Sequence, residues 1–181
     1  MKVLLDACVL YPTVMREMLL GAAGQGLFVP LWSDRLLEEW ARAARKIGPT
    51  GEAQARSEIA MTRAAWPRAA VAVPEALERR LWLPDPADIH VLAAAVAGHA
   101  DVIVTSNAKD FPRNILAEEG VSRADPDGFL LGLAEASLEA MTQVAAHTLA
   151  EARRLSGEDW TLRGLMKKAR LPRLGKTLER L

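Results

Sequence analysis

Two hydrophobic periods alternate along the chain. Residues 2–5, KVLL, form a short apolar run that Asp6 ends. YPTVMREMLLGAAGQG (11–26) then places apolar residues at helical spacing and closes in glycines, and LFVPLW (27–32) reads as a second strand. Ser33 suits the N-cap of a helix DRLLEEWARAARKI that Gly48-Pro49 stops, and EAQARSEIAMTRAAW continues helically to Pro67. AAVAV (69–73) has the content of a short strand. A helix is expected from about Asp85 to His99, followed by a strand in DVIVTSN (101–107), a polar turn, an amphipathic RNILAEEG (113–120) and a short strand in VSRA (121–124).

From Gly128 onward the pattern is helical throughout, in FLLGLAEA, LEAMTQVAAHTLAEARRL and WTLRGLMKKA. Strands alternating with helices predict an α/β fold with a mostly parallel sheet covered on both faces. The change of pattern predicts an α/β domain over 1–133 and a helical C-terminal extension over 134–181. No internal repeat or low-complexity segment interrupts this plan.

The polarity of the predicted sheet decides where chemistry can gather. In parallel α/β sheets, functional groups collect beyond the carboxyl ends of strands, where loops converge at crossover switch points. Asp6 stands at one such end. Thr105 and Asn107 stand at another, in TSNAKDF, with Asp110 a few residues further on. On the helix after Ser33, Leu36, Leu37, Trp40, Ala44 and Ile47 form the apolar stripe, which leaves Glu39 near its border and Glu38 on the solvated side. In DPADIHVLAAA, Asp85 reads as an N-cap, Pro86 as the first helical residue and Asp88 as an acid in the first turn.

Each acid also has a structural reading. Asp6 suits a strand-end turn, Glu39 a helix surface, Asp88 the helix macrodipole and Asp110 an Asx-turn. As a set they imply more, because carboxylates within ~4 Å repel by up to ~4 kcal/mol per pair at an effective dielectric near 20 and need a compensating cation. A ligand set of oxygens, with no cysteine or histidine cluster, favours Mg²⁺ or Mn²⁺.

Composition and charge narrow the classes further. Half of the 181 residues are hydrophobic, enough for a buried core. The single cysteine, Cys8, excludes an internal disulfide and a multi-cysteine metal knuckle and fits a reducing cytosol. No apolar run reaches membrane-spanning length, and the N-terminus meets an acid too early for a signal peptide, so a soluble chain is expected. The formal net charge is zero. Residues 163–181 nevertheless hold seven basic side chains (Arg163, Lys167, Lys168, Arg170, Arg173, Lys176 and Arg180) against Glu179. Such a tail suits nucleic acid or an acidic partner, and suits a solvated helical face equally well. His90, His99 and His147 show no ligand spacing, and GAAGQG lacks the lysine of a phosphate loop.

LLDACVLYP with Asp6, SDRLLEEWARA with Glu39, and DPADIHVLAAAVAGHADVIVTSNAKDF with Asp88 and Asp110 occur here in the order seen in a known family. Over residues 1–133 the chain resembles the PIN-domain ribonucleases, and within them the VapC toxins of VapBC toxin–antitoxin modules. The resemblance implies a three-layer α/β/α, Rossmann-like fold and Mg²⁺- or Mn²⁺-dependent endonucleolytic cleavage of RNA in the cytoplasm. It implies Asp6, Glu39, Asp88 and Asp110 as the catalytic acids. Asp6 and Asp88 would be the principal metal ligands, Glu39 and Asp110 would complete the cluster, and Thr105 and Asn107 would support it. Implied partners are an RNA substrate, a small antitoxin protein and a second copy in a homodimer.

Two positions depart from the family pattern. Cys8 stands where many relatives have asparagine, and Asn107 where many have aspartate, which moves the acid to Asp110. The alternative reading is a non-catalytic PIN scaffold that binds RNA or protein. A haloacid-dehalogenase-type phosphatase would need an aspartate where Cys8 stands.

Overall fold

The computed structural model describes residues 1–179, so Arg180 of the basic tail lies outside the described residues. The first elements are β1 (Lys2–Leu5), α1 (Ala7–Leu10), α2 (Thr13–Gly24), β2 (Val29–Leu31), α3 (Asp34–Ala43), α4 (Gly51–Ala65) and α5 (Glu75–Arg80). They are followed by α6 (Ile89–Ala97), β3 (Val102–Val104), α7 (Arg113–Glu118), β4 (Ser122–Ala124), α8 (Pro126–Ala136), α9 (Leu138–Ser156), α10 (Leu162–Lys168) and α11 (Pro172–Glu179). No described helix is long and apolar enough to cross a membrane.

The four strands form one sheet in the order β2-β1-β3-β4, and every pairing is parallel. The predicted mostly parallel α/β class therefore holds, and the sheet with its many helices fits the three-layer α/β expectation. Val3, Leu4 and Leu5 of β1 are completely buried, as a central strand of a covered sheet requires. β2 takes an edge, where Pro30 forfeits no interior ladder bond. Strand order reverses at β1, between the neighbours β2 and β3, so the crevice of a parallel sheet opens at the carboxyl ends of β1 and β3. There the Asp6 backbone N–H donates to the Val104 carbonyl at 3.2 Å.

The chain packs as two compact units. The first takes Met1–Tyr11 and Val29–Ala124 and contains the whole sheet. Trp32, Trp40 and Phe111 are its largest buried side chains. The second takes Pro12–Phe28 and the chain from Asp125 on. Within it a Cβ on Gly21 would lie 2.6 Å from Val144 Cγ1, so α2 and α9 approach more closely there than any side chain at residue 21 permits. Phe28 and Phe129 meet edge to face at 5.2 Å between ring centroids. These are units of packing, whereas the division at 133/134 expected from the sequence is one of chain order.

Several local expectations need adjusting. AAVAV makes no strand but a single parallel bridge, Trp32 to Ala70, because Pro67 and Pro74 bound the segment and its residues remain largely accessible. The helix expected from Asp85 begins as a 3₁₀ turn (Pro86–Asp88) before α6. The helix after Ser33 passes into a 3₁₀ turn at Ala44–Ile47 and stops at Gly48, whose φ of 143° suits glycine. Helix α11 lies within the extension expected to be helical, although the sequence pattern marks no separate helical segment there.

Candidate active site

β1 delivers Asp6 to the crevice. Its backbone is extended (φ −69°, ψ 153°), and its side chain caps no helical N–H, which leaves the carboxylate for other partners. Thr105, the first residue after β3 and 1% exposed, donates from Oγ1 to Asp6 Oδ2 at 2.7 Å. The same hydroxyl accepts the Asn107 backbone N–H at 3.0 Å. Cys8 Sγ donates to Asp6 Oδ2 at 3.1 Å and accepts the Ser106 N–H at 3.3 Å. Cys8 keeps an exposed outer edge, but its sulfur is packed among these groups; that burial, and then the Asp6 charge, push the thiol up to about 11. Thr105 thus ties the ends of β1 and β3 together, and Cys8 fastens the same oxygen from the other side.

The second component comes from the start of α6. Asp85 Oδ1 accepts the Ala87 N–H at 2.9 Å, with Pro86 at the first helical position, as the sequence predicts. Asp88 ends the 3₁₀ turn and precedes α6 without capping it, so its carboxylate also stays available. Asn107 Nδ2 donates to Asp88 Oδ2 at 3.3 Å, and the 3₁₀ turn Ala108–Asp110 presents Asp110. One carboxylate oxygen from each of Asp85, Asp88 and Asp110 lies within 4.8 Å of the others. Among the described residues, no lysine or arginine pairs with any of the three. Burial first, then the charges of Asp6, Asp85 and Asp110, raise the Asp88 carboxyl to about 6.

Of the residues singled out in the sequence, Asp88 and Asp110 are therefore brought together, Asn107 bonds Asp88, and Thr105 bonds Asp6. Asp6 acts on Asp88 electrostatically. Glu39 does not join the three-carboxylate group. It is half-buried on α3, with Oε1 2.7 Å from His90 Nε2 and 3.8 Å from Arg35 Nε. The His90 ring is 2% exposed; its Nε2 is close to Glu39 but poorly aligned for a hydrogen bond, and Nδ1 has no partner among the described residues. Glu38, expected on the solvated side, is held by both Arg56 terminal nitrogens (2.9 and 3.0 Å) and by Arg42 Nε at 3.1 Å. Hydrogen bonding from Arg56, and then from Arg42, lowers its carboxyl to about 2.

Two residues here escaped the sequence reading. Asp85 was accounted for by its cap, although the D-x-x-D spacing of DPAD put a second acid one turn from Asp88. His90 lacked any ligand spacing, and its approach to Glu39 comes from packing between α3 and α6, which no local pattern encodes.

The donor set fits a hard divalent cation. It consists of carboxylate oxygens with no lysine or arginine paired to them among the described residues, and with one carboxyl raised because its ionised form is disfavoured. Asp85, Asp88 and Asp110 could hold such an ion, with Asp6 contributing charge nearby.

The PIN domain family matches residues 2–109. That span includes Asp6, Glu39, Asp88, Thr105 and Asn107 and ends one residue before Asp110. A Mycobacterium tuberculosis protein named "Putative ribonuclease VapC50" is 52% identical over 44 residues, 24% of this chain and 26% of that protein. The chain thus matches about a quarter of that relative's length. No solved structure matches the chain. The family match spans more than half of the sequence, and the chain belongs to the PIN domain family.

Proposed function

We propose that the protein is an endoribonuclease that depends on Mg²⁺ or Mn²⁺ and serves as the toxin of a type II toxin–antitoxin pair in the cytoplasm. The observation behind this reading is the group Asp85, Asp88 and Asp110, three carboxylates with an oxygen each within 4.8 Å of the others and no lysine or arginine paired to them among the described residues. Membership of the PIN family and the short stretch of similarity to a protein named as a ribonuclease point the same way.

In this reading Asp85, Asp88 and Asp110 would hold the ion, with Asp6, which the family resemblance makes a principal ligand together with Asp88, placing its charge beside them. When bound, the ion acidifies water and neutralises charge on the phosphodiester oxygens. Thr105 fixes the Asp6 carboxylate by its hydroxyl, and Asn107 fixes Asp88 by its amide. Glu39, the fourth acid the resemblance implies, lies beside His90, with Oε1 2.7 Å from Nε2. The implied partners are an RNA substrate, a small antitoxin protein and a second copy of the chain.

The test is cleavage of structured and single-stranded RNA by purified protein with Mg²⁺, Mn²⁺ or EDTA, beside Asp6→Asn and Asp88→Asn. Cleavage that requires the metal and is lost in both variants is expected. Cleavage that survives both substitutions would sink the acidic-site reading, and metal-independent binding without cleavage would favour a scaffold.

A further inference from the structure

The second unit contains a concavity of about 340 Å³ lined by Arg163, Lys167, Pro172, Arg173 and Lys176. Four cations from two helices meet there, although the sequence pattern alone was equally compatible with a solvated helical face. Three devices bring them together. Arg170 takes a left-handed conformation (φ 62°) in the turn between α10 and α11, unusual for a residue with a side chain. A Cβ on Gly175 would lie 2.7 Å from Met166 Cβ, so the helices cross at a distance only glycine allows. Asp127, 6% exposed, accepts the Arg173 and Leu174 N–H groups and Arg173 Nε, each at 3.0 Å, which anchors the start of α11 to α8.

Charge is distributed unevenly within the concavity. Arg173 also reaches Asp125 at 2.7 Å, and Arg163 pairs with Glu179 at 3.2 Å, so both guanidinium groups are held in place with donors to spare. Lys167 and Lys176 are exposed and have no acidic partner among the described residues. Apart from Pro172 the lining offers no apolar anchor, whereas protein interfaces rest on buried aromatic or aliphatic anchors at their centre. Phosphate groups need only such charges.

We propose that α10 and α11 form a binding site for the RNA phosphate backbone, with Lys167 and Lys176 as the contacting charges and Arg163 and Arg173 as positioned forks. The family match ends at residue 109, so this site lies in a part of the chain to which it assigns nothing. The choice of RNA as ligand rests on the ribonuclease reading.

Binding of a fluorescently labelled single-stranded RNA to the full chain, measured by anisotropy in EDTA across a salt series, tests the site. The double variant Lys167→Ala/Lys176→Ala should bind about tenfold more weakly at low salt, with a salt slope reduced by about 1.4, and Lys167→Arg/Lys176→Arg should bind like the wild type. Wild-type affinity and slope in the alanine variant would overturn the proposal. So would absence of RNA binding at low salt, or an acidic peptide bound in preference to RNA through the same lysines. Because EDTA removes the metal, this result is separate from cleavage: lysine-dependent binding without metal-dependent cleavage would leave the site standing and overturn the ribonuclease reading.

Discussion

Thr105 Oγ1 donates to Asp6 Oδ2 at 2.7 Å while accepting the Asn107 N–H at 3.0 Å, so one buried hydroxyl ties together the ends of the two central strands. Thr105→Val keeps the shape and removes both bonds. RNA cleavage should fall by roughly 10- to 100-fold, as for other groups that orient a metal ligand, and Thr105→Ser should retain most of it. Initial rates for the two variants check this; equal activity of valine and wild-type proteins would contradict the orienting role.

The Asp88 carboxyl titrates at about 6 in the folded chain, above its ordinary value of 3.8. Between those pH values the folded state binds more protons than the unfolded state, so this residue costs stability as pH rises through the window, and the cost is fully present above it. Asp88→Asn should therefore raise the metal-free Tm at pH 7.5 and leave it unchanged near pH 3.5. Thermal melts at both pH values decide the matter, and a Tm lowered at pH 7.5 would show that the carboxylate is not disfavoured. Added Mg²⁺ should raise the wild-type Tm more than that of the variant, by mass action.

With its thiol pushed up to about 11, Cys8 holds little thiolate at pH 8. Alkylation by iodoacetamide should run roughly 100-fold more slowly than in the unfolded chain. Asp6→Asn removes one cause of the shift and should speed it. Equal rates in folded and unfolded protein would exclude the packing described for the sulfur.

Asp127 accepts three hydrogen bonds at the start of α11. Asp127→Ala leaves Leu174 N–H buried without a partner and should cost about 2–3 kcal/mol in denaturant titrations. Asp125→Ala loses the Gly128 cap and an exposed contact to Arg173, and should cost about 1 kcal/mol. A reversal of that order would contradict the assigned anchor.

Features governed by short-range rules were legible in the sequence. Asp6 ending β1, the Ser33 cap on Leu36 N–H, and the Asp85-Pro86 start before α6 all follow from residues within a few positions of one another. Parallel strand polarity then placed Asp6 and Asn107 at the same end of the sheet. Features fixed by packing were not legible. Glu39 and His90 are distant in sequence and meet only through helix packing. Asp85 already had a sufficient local role. Within the extension expected to be helical, the bounds of α11 were obscured by Pro172 and Gly175, two poor helix residues; Pro172 stands at the first helical position, and Gly175 is needed for the close crossing with Met166.

On the proposed function, Asp85, Asp88 and Asp110 act as one cation site. Titration of Mn²⁺ into metal-free protein, followed by electron paramagnetic resonance, tests it without reference to any substrate. The wild type should bind Mn²⁺ in a saturable class of sites, with affinity lowered about tenfold or more in both Asp88→Asn and Asp110→Asn. Unchanged Mn²⁺ affinity in both variants would contradict it.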